Sequence, residues 1–125
     1  MLILCQTARR AVELCKIISP ICKAGKQGQI GKFFGKHKQV KEQLHFLETA
    51  SFVYAVGTAA RTAQLCETGK LKFGALTAVV LDASWVNGLG RSMLEDNEAR
   101  RELCLFLGSH LFKHAKAKGT KITFF

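Results

Sequence analysis

The segment AVVLDASW, residues 78 to 85, places Asp82 directly after four apolar residues. An aspartate at the end of a buried strand is the position at which nucleotide-hydrolysing enzymes bind their metal ion. Such enzymes often carry a second carboxylate at the next position, where this sequence has Ala83. We therefore predict that the strand keeps the metal-binding architecture without the catalytic chemistry. Asp82 then caps the turn or pairs with a nearby arginine.

The glycine-rich loop that holds nucleotide phosphates is missing from the sequence. The pattern G-x-x-x-x-G-K-[ST] has its nearest approach in GKQGQIGKFF. There Gly25 lies one residue too far from Gly31 and Lys32, and Phe33 replaces the hydroxyl that would bind magnesium. The sequence therefore predicts neither nucleotide hydrolysis nor a bound cofactor.

Two threonines stand where predicted strands lead into predicted helices. Thr7 follows the apolar start of the chain, and Thr58 follows Gly57 at the end of the apolar segment SFVYAVG. Free backbone N–H groups and the helix dipole at such positions favour a phosphate group. Plain N-capping by the threonine hydroxyls explains the same residues. Taken with the charge of the chain, the two interpretations remain about equally supported.

The other residues of chemical interest indicate no catalytic or metal site. His110 and His114 have the spacing of a helical metal pair, but lysines flank them and no carboxylate or cysteine lies at ligand spacing. The five cysteines are odd in number and include no C-x-x-C pair. We therefore expect reduced core thiols of an intracellular protein. Trp85, beside the end of a predicted strand, is a candidate for stacking on a nucleic-acid base.

The sequence is strongly basic, with 19 lysines and arginines against nine acidic residues and a formal net charge of +10. Between Glu13 and Glu42 it has no acidic residue and many lysines. Such a distribution favours a polyanionic partner, although a solvated surface that keeps the protein soluble would look similar. The apolar runs are too short to span a membrane, and the apolar start of the chain is too short for a targeting segment.

Short apolar segments alternate with amphipathic segments along the chain, which indicates βαβ units. We predict an α/β fold with one doubly wound, mainly parallel sheet, helices on both faces, and a single domain over residues 1–125. Ligands bind such sheets at the carboxyl ends of the strands. The predicted strands are Met1 to Cys5, Ile30 to Phe34, Ser51 to Gly57, Thr77 to Asp82 and Lys121 to Phe125, and the predicted helices run from Thr7 to Pro20, Lys36 to Glu48, Thr58 to Gly69 and Asp96 to Lys116.

The order LILCQTARRA, AVGTAARTAQL, LTAVVLDASW and KITFF resembles the first RecA-like domain of DEAD-box RNA helicases. Thr7 falls on the threonine of the P-T-R-E-L-A motif, with Gln6 replacing its proline. Thr58 and Arg61 fall on the V-G-T-P-G-R motif, and Ala83 takes the place of the glutamate in V-L-D-E-A-D. The resemblance implies a partial RecA-like domain that begins after the phosphate-loop strand and stops before the S-A-T motif.

A closer resemblance is to the Cms-type family of small-ribosomal-subunit assembly proteins. It covers nearly the whole chain and is carried by KFFGKHKQVKEQ (Lys32 to Gln43), AVGTAAR (Ala55 to Arg61), VVLDASW and GRSMLEDNEARREL. It implies a nucleolar protein of early small-subunit pre-ribosomal particles, related to helicase domains that have lost catalysis. Some members of that family are longer, with a charged N-terminal region.

In DEAD-box proteins the two threonine motifs hold the RNA backbone, so the resemblance implies RNA-phosphate contacts here. Such contacts position a strand without reading its sequence and weaken with salt. The degenerate catalytic motif comprises Asp82, Ala83 and Trp85. The candidate RNA-binding residues are Thr7, Arg9, Arg10, Lys32, Lys36, Lys38, Lys41, Gly57, Thr58 and Arg61.

The leading hypothesis is therefore a non-catalytic domain that docks in a small-subunit assembly particle, contacting pre-rRNA or another structured RNA together with ribosome-assembly proteins. We expect no cofactor, no metal, no membrane contact and no homo-oligomer. The expected location is the nucleus and nucleolus, with an organellar assembly particle as the alternative. Two other functions stay open at this point, namely the first-domain fragment of an ATP-dependent RNA helicase and a pure protein-interaction module.

Overall fold

A computed structural model describes residues 1–25, 28–35 and 39–125 of the chain. Strands and helices alternate along the chain, as the hydrophobic pattern predicts. The strands are β1 (Leu2–Leu4), β2 (Gly31–Phe33), β3 (Ala55–Gly57), β4 (Ala78–Leu81) and β5 (Lys121–Phe124), and the helices are α1 (Ala8–Ala24), α2 (Val40–Thr49), α3 (Ala59–Glu67), α4 (Asn97–Phe106) and α5 (Phe112–Lys118).

The five strands form one sheet in the order β2-β3-β1-β4-β5, and every neighbouring pair is parallel. The central strand β1 pairs Leu4 with Gly57 of β3 on one side and with Leu81 of β4 on the other. The carboxyl ends of these three strands therefore meet at one rim of the sheet. The predicted α/β class and mainly parallel sheet are confirmed.

Helices cover both faces of the sheet because successive strand residues point to opposite sides. Ile3, Cys5 and Val56 pack with α1 on one face. Leu4 and Leu81 pack on the other face, where the core also takes residues of α3 and α4 and the partly buried apolar side chains of α2. The two clusters give the domain a core on each side of the sheet, as expected for a doubly wound fold.

Helix α1 is longer than the sequence predicts. Pro20 was expected to end it, but the helix continues to Ala24 with Pro20 inside. Proline costs one backbone hydrogen bond within a helix. Continuation past it carries Cys22 into the core, where only 3% of the residue is exposed, and this burial offsets the cost. The prediction for the end of α1 is therefore wrong by one helical turn.

The long helix predicted from Asp96 to Lys116 is interrupted. Asp96 caps α4 by accepting a hydrogen bond from the backbone N–H of Ala99 at 3.0 Å, and a π-helical segment over Leu107–Leu111 separates α4 from α5. The wider turn places Leu111 in the same buried cluster as Phe106, five residues earlier. Periodicity alone could not reveal this inserted residue, because the exposed residues of the segment are compatible with either helix type.

Other boundaries also differ from the predictions, mostly by one or a few residues. Strand β3 is only three residues long, although Ser51 to Gly57 was predicted. Helix α2 begins at Val40, and the predicted start at Lys36 lies outside the described residues. Helix α3 ends at Glu67 with Thr68 at the C-cap, just before Gly69 with its positive φ of 72°. None of the helices in the described part of the chain is long and apolar enough to cross a bilayer.

Candidate nucleic-acid interface

The rim formed by the ends of β1, β3 and β4 brings together the residues that the motifs predict. The backbone N–H of Cys5 donates to the carbonyl of Gly57 at 2.9 Å, and that of Asp82 donates to the carbonyl of Leu4 at 2.9 Å. These bonds fix the last residues of three strands at one level. Thr7, Thr58 and Asp82 therefore follow adjacent strand ends, as the parallel topology requires.

Asp82 is paired with Arg10 of α1. The Arg10 Nε donates to Asp82 Oδ2 at 2.7 Å and Nη2 donates to Oδ1 at 3.4 Å, in the two-pronged geometry that guanidinium and carboxylate groups prefer. The Asp82 side chain is 2% exposed and that of Arg10 is 17% exposed. The hydrogen bond to Asp82 raises the pKa of the Arg10 guanidinium above its ordinary value. This confirms that Asp82 pairs with a nearby arginine.

The ion pair engages the carboxylate that an aspartate at this position offers to a metal ion in a nucleotide-hydrolysing enzyme. A magnesium ion binds through carboxylate oxygens and substrate phosphates, and both oxygens of Asp82 already accept hydrogen bonds from Arg10. The residues at this position therefore do not fit a metal ion. Among the described residues, no group of three or more histidine, cysteine or acidic side chains is arranged to hold one elsewhere.

The segment that follows Asp82 is tied to the end of β5. The backbone N–H groups of Ala83 and Ser84 both donate to the carbonyl of Phe125, at 2.7 and 2.8 Å. Ala83 thus contributes a backbone donor, with no side chain that could position a water molecule. Trp85 is half-buried, so part of its ring reaches the surface. Its role in base stacking stays a prediction.

Thr7 is an N-cap. Its Oγ1 accepts a hydrogen bond from the backbone N–H of Arg10 at 3.2 Å, and its carbonyl accepts from the N–H of Ala11 at 3.0 Å. The capping interpretation of Thr7 is therefore confirmed. The cap uses the Thr7 hydroxyl only as an acceptor, so a second, donated hydrogen bond to a phosphate oxygen is chemically compatible with the cap.

Thr58 occupies the N-cap position of α3 without capping it through its side chain. Its carbonyl accepts from both the N–H and the hydroxyl of Thr62, at 3.0 and 2.8 Å, and its own N–H donates to Phe33. The backbone of Thr58 is therefore fixed while its hydroxyl takes no part in the cap. Of the two threonines, Thr58 has the side chain more available for an external ligand.

Gly57 is required by close packing. A Cβ atom at this position would lie 2.7 Å from the carbonyl oxygen of Phe33, 2.8 Å from its Cβ, and 2.8 Å from the hydroxyl of Thr62. Real side chains essentially never approach so closely, and the nearest atom belongs to the backbone. Gly57 thus allows β3 to lie against β2 and α3, and its contribution to the rim is to hold Thr58 in place.

Arg61 connects the rim to the outer edge of the sheet through Gln43. The Arg61 Nη1 donates to Gln43 Oε1 at 2.8 Å, and Gln43 Nε2 donates to the carbonyls of Lys32 and Phe34 at 2.7 and 3.0 Å. Gln43 is 3% exposed. The two carbonyls belong to β2 and the residue after it, and β2 is the outermost strand of the sheet among the described residues. One amide therefore closes this edge and orients the guanidinium.

Gln43 is the last residue of the motif KFFGKHKQVKEQ, and the sequence alone predicts no role for it. The signal that could have identified it is a polar residue one turn before Leu47 and next to the apolar position Leu44 in α2. A glutamine among such residues must find partners for its amide when it is buried. Its partners lie on β2 and α3, which the sequence cannot pair with it.

The predicted basic residues differ in their surroundings. Arg9 has 82% of its side chain exposed and lies 3.8 Å from Glu13, an ion pair of little energetic weight. Lys32 and Lys41 are exposed. Arg10 is committed to Asp82. The predicted contacts Lys36 and Lys38 lie outside the described residues.

The buried thiol of Cys5, near the rim, is poorly suited to nucleophilic or metal-binding chemistry. Burial raises the pKa of Cys5 to about 12, with a further rise from the Asp82 carboxylate. A thiol that stays protonated at neutral pH is a poor nucleophile and a poor metal ligand.

The two histidines of the predicted helical pair pack against aromatic rings. The ring centroid of His110 lies 5.9 Å from that of Phe106, and the ring centroid of His114 lies 5.9 Å from that of Phe73.

The five-stranded parallel sheet with helices on both faces is consistent with a partial RecA-like α/β domain. At its rim, an arginine of α1 holds the aspartate that follows β4. The chain belongs to the family described as CMS1, U3-containing 90S pre-ribosomal complex subunit, whose sequence model matches residues 1–125.

Curated relatives of similar sequence agree with this assignment. The chain is 31% identical over 125 residues to human Protein CMSS1 and 30% identical over 125 residues to the Xenopus laevis protein of the same name. It is 29% identical over 131 residues to Protein cms1 of Schizosaccharomyces pombe. These matches cover 99 to 100% of this chain but 44% of each relative. The chain thus spans less than half the length of these relatives.

Proposed function

We propose that this chain is a non-catalytic ribosome-biogenesis factor that docks in early small-subunit pre-ribosomal particles. It contacts the RNA backbone through the strand-end rim and contacts assembly proteins through other surfaces. Residues 1–125 then form one degenerate DEAD-box-like domain that works in the nucleolus. The family description, which names a 90S pre-ribosomal complex subunit, supports the particle.

The observation that carries the non-catalytic part of the proposal is the ion pair of Arg10 with Asp82. Phosphoryl transfer depends on a metal ion and on a loop that cradles the phosphates. Here the aspartate is neutralised by a side chain of the same protein, Ala83 stands at the following position, and the phosphate-loop pattern is missing from the sequence. These features support a binding role in preference to hydrolysis.

The RNA part of the proposal rests on the charge and on the layout of the rim. The net charge of +10 favours a polyanion. Thr58 presents a hydroxyl at a helix start, and the nearby Arg61 guanidinium is oriented by Gln43. Donors that the protein fixes in advance lose little entropy on binding a phosphate. Arg9, Lys32 and Lys41 add exposed positive charge for longer-range attraction.

Nucleotide binding is tested by titrating the protein with magnesium ATP to millimolar concentration in a calorimeter. The proposal predicts no saturable heat, whereas a clear binding isotherm would support a helicase fragment. RNA contact is tested by measuring the affinity for a fluorescent single-stranded RNA at several salt concentrations. The proposal predicts a steep linear fall of log K with log salt. If the protein does not bind RNA at low salt, its positive charge serves only to keep it soluble. That result would favour a pure protein-interaction module.

The assignment to a particle needs a separate measurement in cells. Tagged protein is followed through a sucrose gradient, and the RNA that co-purifies with it is probed for U3. Cosedimentation in the 90S region with U3 supports the proposal. If the protein cosediments with an organellar particle, or sediments free of any particle, the proposed nucleolar location is contradicted.

A further inference from the structure

A groove lies on the α1 face of the sheet, between α1 and the β2 edge. Its volume is about 490 Å³, within the range of ordinary ligand sites. One wall consists of α1 residues spaced three and four apart, including Lys16, Ser19 and Lys23, and the other wall includes Gln29 and Lys32. The predicted RNA site on the strand-end rim uses only Lys32 from this set.

The groove combines an apolar floor with a cationic border. Cys15, Cys22 and Phe34 line it and are each less than 9% exposed, so the floor is formed by core side chains. Lys16, Lys23 and Lys32 are exposed along its walls. No acidic side chain is among the described residues that line it. Such a site fits a ligand with planar apolar parts and negative charges.

The spacing of the lysines indicates more than one negative group. Lys16 and Lys23 are seven residues apart on one helix, so they lie about 10 Å apart along the helix axis. At this separation, successive phosphates of a nucleic-acid strand can contact the two ammonium groups at once. Ser19 lies between them in sequence, and both Ser19 and Gln29 line the groove. A hydroxyl and an amide are suited to hydrogen bonds with a base edge or a sugar.

The groove is continuous with the rim through β2. Lys32 and Phe34 line the groove, and their carbonyls accept the hydrogen bonds from Gln43 that orient Arg61. The N–H of Thr58 donates to Phe33, between these two residues. A strand of RNA that leaves the rim beside Arg61 therefore meets the β2 wall of the groove. The lysines along the groove and its continuity with the proposed RNA site favour RNA as the occupant.

We propose that the groove between α1 and β2 binds a short stretch of single-stranded RNA, with phosphates on Lys16, Lys23 and Lys32 and one base over the apolar floor. The inference rests on the proposed RNA-binding function and extends it to a second, base-accommodating site. The bases bind without sequence selection, because the floor offers apolar contact and only a few polar groups.

The test compares three variants of the 125-residue chain by fluorescence anisotropy with a labelled uridine oligonucleotide. Ser19→Phe fills the groove without changing charge and is expected to weaken binding about fivefold or more, as loss of a stacked base would. Lys16→Ala with Lys23→Ala is expected to weaken binding about tenfold and to lower the salt slope by about 2. The matched control, Lys113→Ala with Lys116→Ala, removes the same charge from exposed positions of α5 and is expected to change affinity less than about twofold.

The possible results separate this inference from the proposed function. If the unmodified chain shows no salt-dependent RNA binding, the proposed function fails and the groove inference fails with it. If Thr58→Ala weakens binding but Ser19→Phe does not, the rim contact stands and the groove inference is overturned. An equal effect of the α5 control pair also overturns it, because the lysines would then act only through net charge. Uridine monophosphate competing as well as the oligonucleotide contradicts the multi-phosphate site.

A second measurement does not depend on any variant folding correctly. Oligonucleotides that carry 4-thiouridine are photo-cross-linked to the unmodified chain, and the linked peptides are identified by mass spectrometry. Cross-links within residues 12–23 or 28–34 support the groove. Cross-links confined to other parts of the chain overturn it, and so does competition by a glutamate-rich peptide that equals competition by RNA of the same charge.

Discussion

The guanidinium of Arg10 in α1 and the carboxylate of Asp82 after β4 form a two-pronged ion pair, 2.7 Å at its shorter contact. The two residues are 72 positions apart in sequence. The pair joins the first helix of one face of the sheet to the strand next to β1, at the rim. It therefore serves as a structural bond between α1 and the end of β4.

Removing one partner of this pair is expected to destabilise the fold. Asp82→Asn leaves the Arg10 guanidinium with a neutral partner in a site that is largely out of water, and a cost of about 3 kcal/mol is expected. Chemical unfolding in urea measures it. Arg9→Met, which removes an exposed arginine one position away, is the control and is expected to cost less than about 0.5 kcal/mol.

The double variant Arg10→Met with Asp82→Leu separates the pair from its surroundings. Replacing both charges by apolar groups of similar size is often close to neutral, so this variant is expected to be more stable than Asp82→Asn alone. The single variants Arg10→Met and Asp82→Leu complete the comparison. If their losses of stability add up to the loss in the double variant, a direct pair is contradicted. A gain in ATP affinity on removing Arg10 would contradict the non-catalytic proposal.

Gln43 is expected to matter for stability far more than its position on a surface helix suggests. Gln43→Leu leaves the carbonyls of Lys32 and Phe34 and the Arg61 guanidinium without their amide partner. The expected loss is about 2 to 3 kcal/mol in the free energy of unfolding. Gln39→Leu, at an exposed glutamine that makes no side-chain cap, is the matched control. Equal and small effects in both variants would mean that water replaces the amide.

The two rim threonines are expected to respond differently to the same substitution. Thr7→Ala removes the cap of α1 and is expected to cost about 1 kcal/mol of stability. Thr58→Ala removes a hydroxyl that does not cap α3, so its melting temperature is expected to stay within a few degrees of the unmodified chain. If RNA contacts the rim, Thr58→Ala instead weakens RNA binding by about fivefold, the equivalent of one hydrogen bond. If Thr58→Ala lost stability and Thr7→Ala lost RNA affinity, Thr58 would be excluded from the interface.

Stability is expected to fall in alkaline solution through the buried thiols. Burial raises the pKa of Cys5 from its ordinary value of 9.0 to about 12, so the unfolded chain releases this proton at lower pH than the folded chain. The free energy of unfolding is unaffected by this thiol below about pH 9. It falls between about pH 9 and pH 12, by up to about 1.4 kcal/mol per pH unit. Urea unfolding at about pH 8 and about pH 10.5 measures it.

Cys5→Ala provides the comparison for the pH dependence. It removes the titrating group, so its stability is expected to fall less between the two pH values than that of the unmodified chain. Burial also raises the pKa of Cys66 to about 12, so we expect it to account for a similar part of the alkaline loss of stability. The variant Cys66→Ala removes this second thiol separately. An identical fall in all three proteins would show that other groups control the alkaline response.

The sequence predicts the alternation of strands and helices because each element carries its own periodic pattern. Val79 and Leu81 mark β4 without reference to any other part of the chain. The end of α1 was missed because Pro20 is a local stop signal, whereas the burial of Cys22 depends on the sheet beneath the helix. The π-helical segment was missed for the same reason, since Phe106 and Leu111 share a face only in the folded core.

The candidate site follows the same division between local and long-range information. Thr7 as a cap is a property of one turn, and the prediction of an arginine partner for Asp82 needed only the charge of the pair. The identity of that arginine, the Gln43 amide at the β2 edge and the contact with Arg61 depend on residues far apart in sequence. No pattern within a helix or strand specifies them. The lysines at 36 and 38 remain predictions.

The amide of Gln43 also has a consequence for how copies of the chain meet. An exposed strand edge is a template on which another chain can add a strand, and proteins commonly cover such edges. Here one buried side chain occupies the outward carbonyls of Lys32 and Phe34, so sheet growth stops at β2. Replacing it would not only loosen the domain but also open a nucleation point for self-association, at the edge of the sheet that faces away from β4 and β5.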